Sequence, residues 1–328
     1  MIYALRELRS KFKSGIKNPL FIFVILLALL PLALQEPYLL YVATLVLIYI
    51  VIAVSWNILA ESGQFSLGHA AFFGIGAYTS TLLYKYFLVN PLLGMPFSAL
   101  TSCALALLMG VICLPLREFY LAIATLALSE VLRTIVIMLP EITGGAVGLG
   151  IPPLFGGNRV LNYYLMLAIA VIALSTLYAV RRSKLYLALV TLRCDEVVAS
   201  SIGINPVKYR LYAFLLSALF PGLCGGFFSF YVGFIDPFSV FNIEISIAPQ
   251  IMSVLGGIYT FWGPIIGALI IEPVKEFLRI SMPTGYLVVY GIIMILCIRF
   301  LPRGIMEALK AYTGMSEAVP VGGRKCSR

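Results

Sequence analysis

From Phe65 to Leu83 the chain carries no formal charge, its single His69 aside, and the stretch is long enough to cross a bilayer as a helix. It is not composed like a lipid-facing anchor. Nine of the fifteen residues Ser66–Ser80 are Gly, Ala, Ser or Thr, and Ser66, Ala70 and Gly74 recur at i, i+4 and i+8 along one ridge. Glycine costs a helix about 1 kcal/mol relative to alanine in water. In a membrane the missing side chain lets another backbone approach closely. The segment Glu61–Tyr84, ESGQFSLGHAAFFGIGAYTSTLLY, is therefore expected to be a packing centre or a pathway wall. Tight packing alone explains its small residues as well as a pathway does.

The rest of the chain fixes the class. Of 328 residues 61% are hydrophobic and only 11% are charged, against roughly 25% charged in soluble domains. Apolar runs fall at about 20–34, 38–60, 65–84, 97–116, 119–139, 161–180, 211–232, 243–257, 263–280 and 285–301. The expected fold is an all-α polytopic membrane protein with about ten transmembrane helices, some short or broken, and both termini cytoplasmic. The span at 243–257 is the weakest, because it is short, holds Glu244 and Pro249 and ends in Gly256-Gly257; a broken or re-entrant helix is expected there.

Charge placement gives the orientation. With the N-terminus inside, 18 of the 23 Lys and Arg residues fall in cytoplasmic segments. The net charge of +9 is thus a topology signal and needs no nucleic acid to explain it. Residues 1–19, with Arg6, Arg9, Lys11, Lys13 and Lys17, read as a basic amphipathic lead-in on the inner membrane surface, in contact with lipid. Residues 32–34 are Leu-Ala-Leu, a poor cleavage site, so the first apolar run reads as an uncleaved span. The transmembrane domain then covers 20–301, and 302–328 is a cytoplasmic tail. The six cysteines show no CxxC or Cys/His spacing, and neither disulfide nor metal is implied.

The longest internal loop is RRSKLYLALVTLRCDEVVASSIGINPVKYR, Arg181–Arg210. It is too polar to span and too long for a turn. Asp195-Glu196 opens a short helix that Gly203 ends and Pro206 prevents from continuing. Such a helix suits docking of another protein; a solvated connector fits the residues equally.

Several stretches together resemble one family. ESGQFSLGHAAFFGIGAYTSTLL resembles the signature of LivM-type permeases, the membrane subunits of branched-chain amino acid ABC importers. LREFYLAIATLALSEVLRTIV with TGGAVGLGIPP, RCDEVVASSIGINPVKYRLYAFLLSALFPGLCGGFF, VLGGIYTFWGPIIGA and LPRGI follow in the family's order. The resemblance covers most of residues 40–305. Two positions depart from it: Tyr186-Leu187 stands where the family usually has Gly-Arg, and Tyr259 where it usually has Gly.

The resemblance implies a permease that imports branched-chain, hydrophobic amino acids by alternating access. Urea or a short-chain amide is the alternative cargo. The sequence holds no G-x-x-x-x-G-K-[ST], so ATP is expected on separate ABC ATPase subunits and no cofactor on this chain. Further implied partners are a second, LivH-like permease and an extracytoplasmic substrate-binding protein. The resemblance assigns ATPase coupling to Arg193, Asp195, Glu196, Ala199, Ser200, Gly203, Ile204 and Asn205.

Candidate pathway residues are Gln64, Ser66, Gly68, His69, Gly74, Glu130, Thr143, Gly144 and Gly145. Gln64 and Ser66 can bind a zwitterion without adding charge. His69 suits either a pathway or a hydrogen-bonded packing position. Glu130 and Arg133, at i and i+3, suit an ion pair or substrate contact. Thr143-Gly144-Gly145 can offer backbone N–H groups to a carboxylate, or form a plain tight turn. No catalytic set is expected: one His and no clustered carboxylates argue against an enzyme. An ion-coupled transporter would need paired intramembrane acids, and Glu130, Glu244 and Glu272 read as isolated.

Overall fold

A computed structural model describes residues 19–33, 36–114, 118–283, 285–300 and 304–306. Lead-in residues 1–18, most of the tail and the cations Arg117, Arg303, Lys310, Arg324, Lys325 and Arg328 lie outside the described residues. The described chain is all-α apart from one pair of two-residue strands. In order the helices are α1 (Pro19–Ala33), α2 (Pro37–Ala60), α3 (His69–Phe87), α4 (Pro91–Cys113), α5 (Glu118–Met138), α6 (Pro140–Thr143), α7 (Arg159–Arg181), α8 (Lys184–Cys194), α9 (Glu196–Ser201), α10 (Pro206–Val232), α11 (Pro237–Val240), α12 (Ile243–Gly257), α13 (Gly263–Ser281) and α14 (Tyr286–Phe300). The strands β1 (Leu149–Gly150) and β2 (Phe234–Ile235) pair antiparallel and tie the turn before α7 to the end of α10.

Among the described residues, six helical segments are long and apolar enough to cross a membrane: Pro37–Ala60, Pro91–Cys113, Tyr120–Met138, Arg159–Arg181, Pro206–Val232 and Pro237–Gly257. The molecule is a polytopic membrane protein. The weak span at 243–257, expected to be broken, is instead one continuous helix, α12, and the division lies just before it. A break at Phe241–Asn242 separates α11 from α12, and Asn242 Oδ1 caps α12 by accepting from Glu244 N at 2.9 Å.

The most enclosed helix is α2. It is apolar all round, as its run from Leu40 to Ala60 requires, and it is packed by α7, α10, α12 and α13. Helix α3, the expected centre, forms a second focus with α4 and α10. There the glycines act as the sequence suggested, in a different register. A Cβ on Gly76 would lie 2.1 Å from the Gly222 carbonyl oxygen, and one on Gly225 would lie 2.0 Å from that of Phe73. Gly74 faces the Phe241 ring, 2.4 Å from such a Cβ. Helices α12 and α13 meet in the same way: a Cβ on Gly267 would lie 1.8 Å from the Met252 carbonyl oxygen.

Three further expectations are corrected. The span read from residue 65 begins as a helix only at His69; residues 64–68 are irregular and Ser66 is off the helical ridge. Periodicity hides this break because the segment is as apolar as the helix after it. The carboxylate Glu272 is not isolated, since Glu276 lies one helical turn on and both are buried. Cys103, Cys113 and Cys224 are free thiols, but Cys194 is disulfide-bonded.

Candidate functional site

Two polar constructions surround the 61–69 segment. The first lies past the C-terminal end of α2. Glu61 is 1% exposed and receives two guanidinium groups, Arg181 Nη2 on Oε1 at 2.5 Å and Arg193 Nη1 on Oε2 at 3.0 Å. Arg181 closes α7 and Arg193 lies in the last turn of α8, so one carboxylate joins three helix ends. Burial pushes the Glu61 carboxyl up, and the two arginines pull it back.

Tyr259 completes this node. Its carbonyl accepts a second bond from Arg181 Nη2 at 2.8 Å, and its ring lies 3.9 Å from the Arg193 guanidinium carbon. The Arg181 guanidinium carbon is 5.7 Å from the Tyr186 ring. The two tyrosines that depart from the family pattern are thus both placed against the arginines of Glu61. Tyr259 holds a left-handed backbone, φ +67°, the conformation for which glycine is the usual residue. Asn57 fastens the same turn: its Nδ2 donates to the Thr260 carbonyl at 3.3 Å, and its Oδ1 accepts from Tyr259 N at 3.4 Å. Gly63, at φ +79°, lets the 61–63 turn lie on Arg193, whose Cγ would be 3.3 Å from a Cβ there.

The second construction is the irregular stretch before α3. Buried irregular backbone must find partners inside the protein. The Ser66 carbonyl accepts from Trp56 Nε1 at 3.1 Å and Gln250 Nε2 at 3.0 Å. Leu67 N donates to Thr125 Oγ1 at 3.0 Å, Gly68 N to Ser66 Oγ at 3.1 Å and Ala70 N to Ser246 Oγ at 2.9 Å. The start of α3 is therefore held by side chains from α2, α5 and α12. His69 is fully buried, its Nε2 3.0 Å from Ser217 Oγ on α10. Gln64 is buried too, with Nε2 3.5 Å from the Leu114 carbonyl. Gln64, Ser66, Gly68, His69 and Gly74 are brought together here, as packed and mostly bonded groups.

The remaining candidates lie apart. Glu130 and Arg133 form the expected i, i+3 ion pair at 2.6 Å on a partly exposed face of α5. At Thr143-Gly144-Gly145 every backbone N–H is used: Thr143 N on the Leu139 carbonyl, Gly144 N on that of Pro140, and Gly145 N on Thr143 Oγ1. That geometry is the tight turn, with no N–H left over for a carboxylate.

In the long loop, Asp195 caps α9 by accepting from Val197 N at 2.8 Å and Val198 N at 3.1 Å. Glu196 pairs with Arg210 at 3.0 Å. Gly203 turns the chain at φ +86°, and Asn205 caps α10 through Lys208 N at 3.1 Å. Ala199 is buried against the bundle, whereas Ser200, Val197, Val198 and Ile202 are exposed. Arg193 sits apart from this exposed face and turns inward to Glu61.

The profile of the family described as branched-chain amino acid transport system / permease component matches residues 38–298. The chain belongs to that family. It is 30% identical to the high-affinity branched-chain amino acid transport system permease protein LivM of Escherichia coli strain K12, over 93% of this chain and 83% of that one. It is 31% identical to LivM of Salmonella typhimurium strain LT2, over 89% and 76%. A probable branched-chain amino acid transport permease protein LivH of Methanocaldococcus jannaschii is 28% identical over 70% of this chain and 79% of its own. No solved structure matches the chain. Sequence reasoning did not single out Asn57, Glu61 and Arg181, which the structure joins beyond the end of α2. The acid in ESG at the end of an apolar run and the arginine just after span 161–180 were the available signals. It also missed a charged group on α13: Lys275 Nζ lies 2.7 Å from Glu272 Oε1 and 3.2 Å from Glu244 Oε1.

Proposed function

We propose that the chain is the permease subunit of an ABC importer that moves branched-chain, hydrophobic amino acids inward across the prokaryotic plasma membrane. The observation that carries this reading is the family match across residues 38–298, joined to similarity with two LivM permeases over about nine-tenths of the chain. In this reading the chain has about ten spans, with both termini cytoplasmic. A second, LivH-like permease stands opposite, separate ABC ATPases dock from the cytoplasm, and an extracytoplasmic binding protein delivers cargo.

The coupling surface is the exposed side of α9, with Glu196, Ser200 and Gly203 at its ends and Val197, Val198 and Ile202 as its apolar contact. Glu61 supplies the route inward. It bonds to Arg193 at the base of this loop, to Arg181 at the end of α7, and through Arg181 to the 257–263 turn. A push on α8–α9 is thus delivered to α2, α3 and α13 together. The domain limits are those read from the sequence: a lead-in over 1–19, a permease domain over 20–301 with the coupling loop at 181–210, and a tail over 302–328.

Reconstitution with the ATPases, partner permease and binding protein tests the reading. ATP-dependent accumulation of labelled leucine supports it. Accumulation of urea or acetamide without leucine would replace it with the amide alternative, and ATP-independent uptake would refute it.

A further inference from the structure

A cavity of about 140 Å³ lies between α2, α12 and α13, apart from the two constructions around 61–69. One wall is apolar: Leu45, Ile48 and Ile52 of α2, with Phe73, Phe228 and Ile245. The facing wall carries Glu244, Glu272, Lys275, Glu276 and Arg279. Glu272 is fully buried and Glu276 is 2% exposed. Burying such a set is costly in a membrane protein unless it serves a purpose.

The charges are unequally matched. Lys275 is committed: Glu244 and Glu272 hold its ammonium, and the Tyr49 ring lies 4.1 Å beneath it. Glu272 Oε2 makes no hydrogen bond. Among the described residues Glu276 Oε2 also makes none, and the Arg279 Nε charge lies 3.4 Å away. Three carboxylates face two cations, so the wall holds acceptors for one further positive group. Arg279 has about half of its side chain exposed and keeps donors for a negative one. We propose that this cavity is a subsite for a small zwitterion with an aliphatic side chain: Glu272 and Glu276 receive its ammonium, Arg279 its carboxylate, and the α2 wall its side chain. The inference rests on the importer reading above and assigns it a place of contact. The volume suits a molecule of amino acid size and falls below the roughly 300 Å³ at which pockets for larger ligands begin.

The test is equilibrium binding of tritiated L-leucine to the full chain in lipid nanodiscs, without binding protein. Saturable binding is expected. It should weaken at least tenfold in Glu276→Gln, as loss of a charged hydrogen-bond partner implies. 4-Methylpentanoate, which lacks the ammonium, and 3-methylbutylamine, which lacks the carboxylate, should each compete at least tenfold less well than leucine. Ile48→Phe should lower the preference for leucine over alanine about tenfold. Where Ile48→Phe fails to assemble, Ile48→Val, which cannot overpack, should shift preference toward phenylalanine. Absence of saturable binding, unchanged affinity in Glu276→Gln, or an amine that binds as well as leucine would each overturn the subsite. Leucine uptake by the whole importer alongside any of these results leaves the importer reading intact; loss of that uptake in the wild type removes the reading itself.

Discussion

Glu61 and Arg181 are 120 positions apart in sequence, and their side chains meet at 2.5 Å in a setting where the carboxylate is almost wholly buried. The contact makes the end of α2 and the end of α7 a single mechanical unit.

Removing that carboxylate leaves two arginines facing each other without a counter-charge. Breaking a fully buried pair costs about 3–5 kcal/mol. Arg181 and Arg193 keep 17% and 24% of their side chains exposed and can turn toward water, so the expected loss for Glu61→Ala is nearer the roughly 1–3 kcal/mol of an unsatisfied buried group. Thermal unfolding in detergent measures it. Stability equal to wild type would show that the node carries no load.

Tyr259 sets backbone strain against stacking. Tyr259→Gly relieves a left-handed conformation that costs a residue with a Cβ about 1–2 kcal/mol, and loses a cation–π contact of about 0.5–2 kcal/mol. The two nearly cancel. Tyr259→Ala keeps the strain and loses the ring, so it should be the less stable of the two variants. The reverse order in parallel melting curves would remove the strain account.

Gly76 and Gly74 separate backbone contact from side-chain contact. At Gly76 the obstacle to a new methyl is a carbonyl oxygen of α10, and at Gly74 it is the ring of Phe241. A ring at the end of a side chain can move more easily than a packed helix. Gly76→Ala is therefore expected to cost more than Gly74→Ala, within the roughly 1–3 kcal/mol range of overpacking. Yield and melting temperature of the purified pair decide it; a less stable Gly74→Ala would reverse the ranking.

Gly203→Val tests energy transfer. Among the described residues, its chain neighbours aside, no atom lies within 4 Å of the position a Cβ would take, so the substitution acts through its φ of +86°. The bundle should fold while the turn after α9 shifts. Uptake should fall several-fold with ATP hydrolysis retained, both read in the same vesicles. Wild-type uptake per ATP would reduce the loop to a connector.

Orientation is open to labelling. Asn158 and Ser200 are both exposed and fall on opposite sides in the proposed topology. In a cysteine-free background, Asn158→Cys should react with an impermeant thiol reagent on intact cells and Ser200→Cys should not. The opposite pattern inverts the topology.

The class of molecule was legible in the sequence because it follows from local quantities. Run length and charge density suffice to read apolar spans such as 38–60 and 161–180, and the i, i+3 pair of Glu130 and Arg133 is fixed by helix geometry. The cap at Asp195 and the turn at Gly203 were readable for the same reason, since each depends on neighbours a few residues away. What the sequence alone left open lay in contacts between distant segments. The break before His69 is stable because Trp56, Thr125 and Gln250 supply hydrogen bonds to its backbone, and no pattern near residue 65 announces them. Which glycine of α3 touches a backbone depends on how α10 crosses it, not on glycine spacing. Glu272 read as an isolated acid; only the approach of α2 and α12 makes it, with Glu276, a charged wall facing Ile48 and Ile52. Local chemistry determined the elements. Tertiary packing decided which polar groups are matched, because the partner that satisfies a buried charge here sits on another helix.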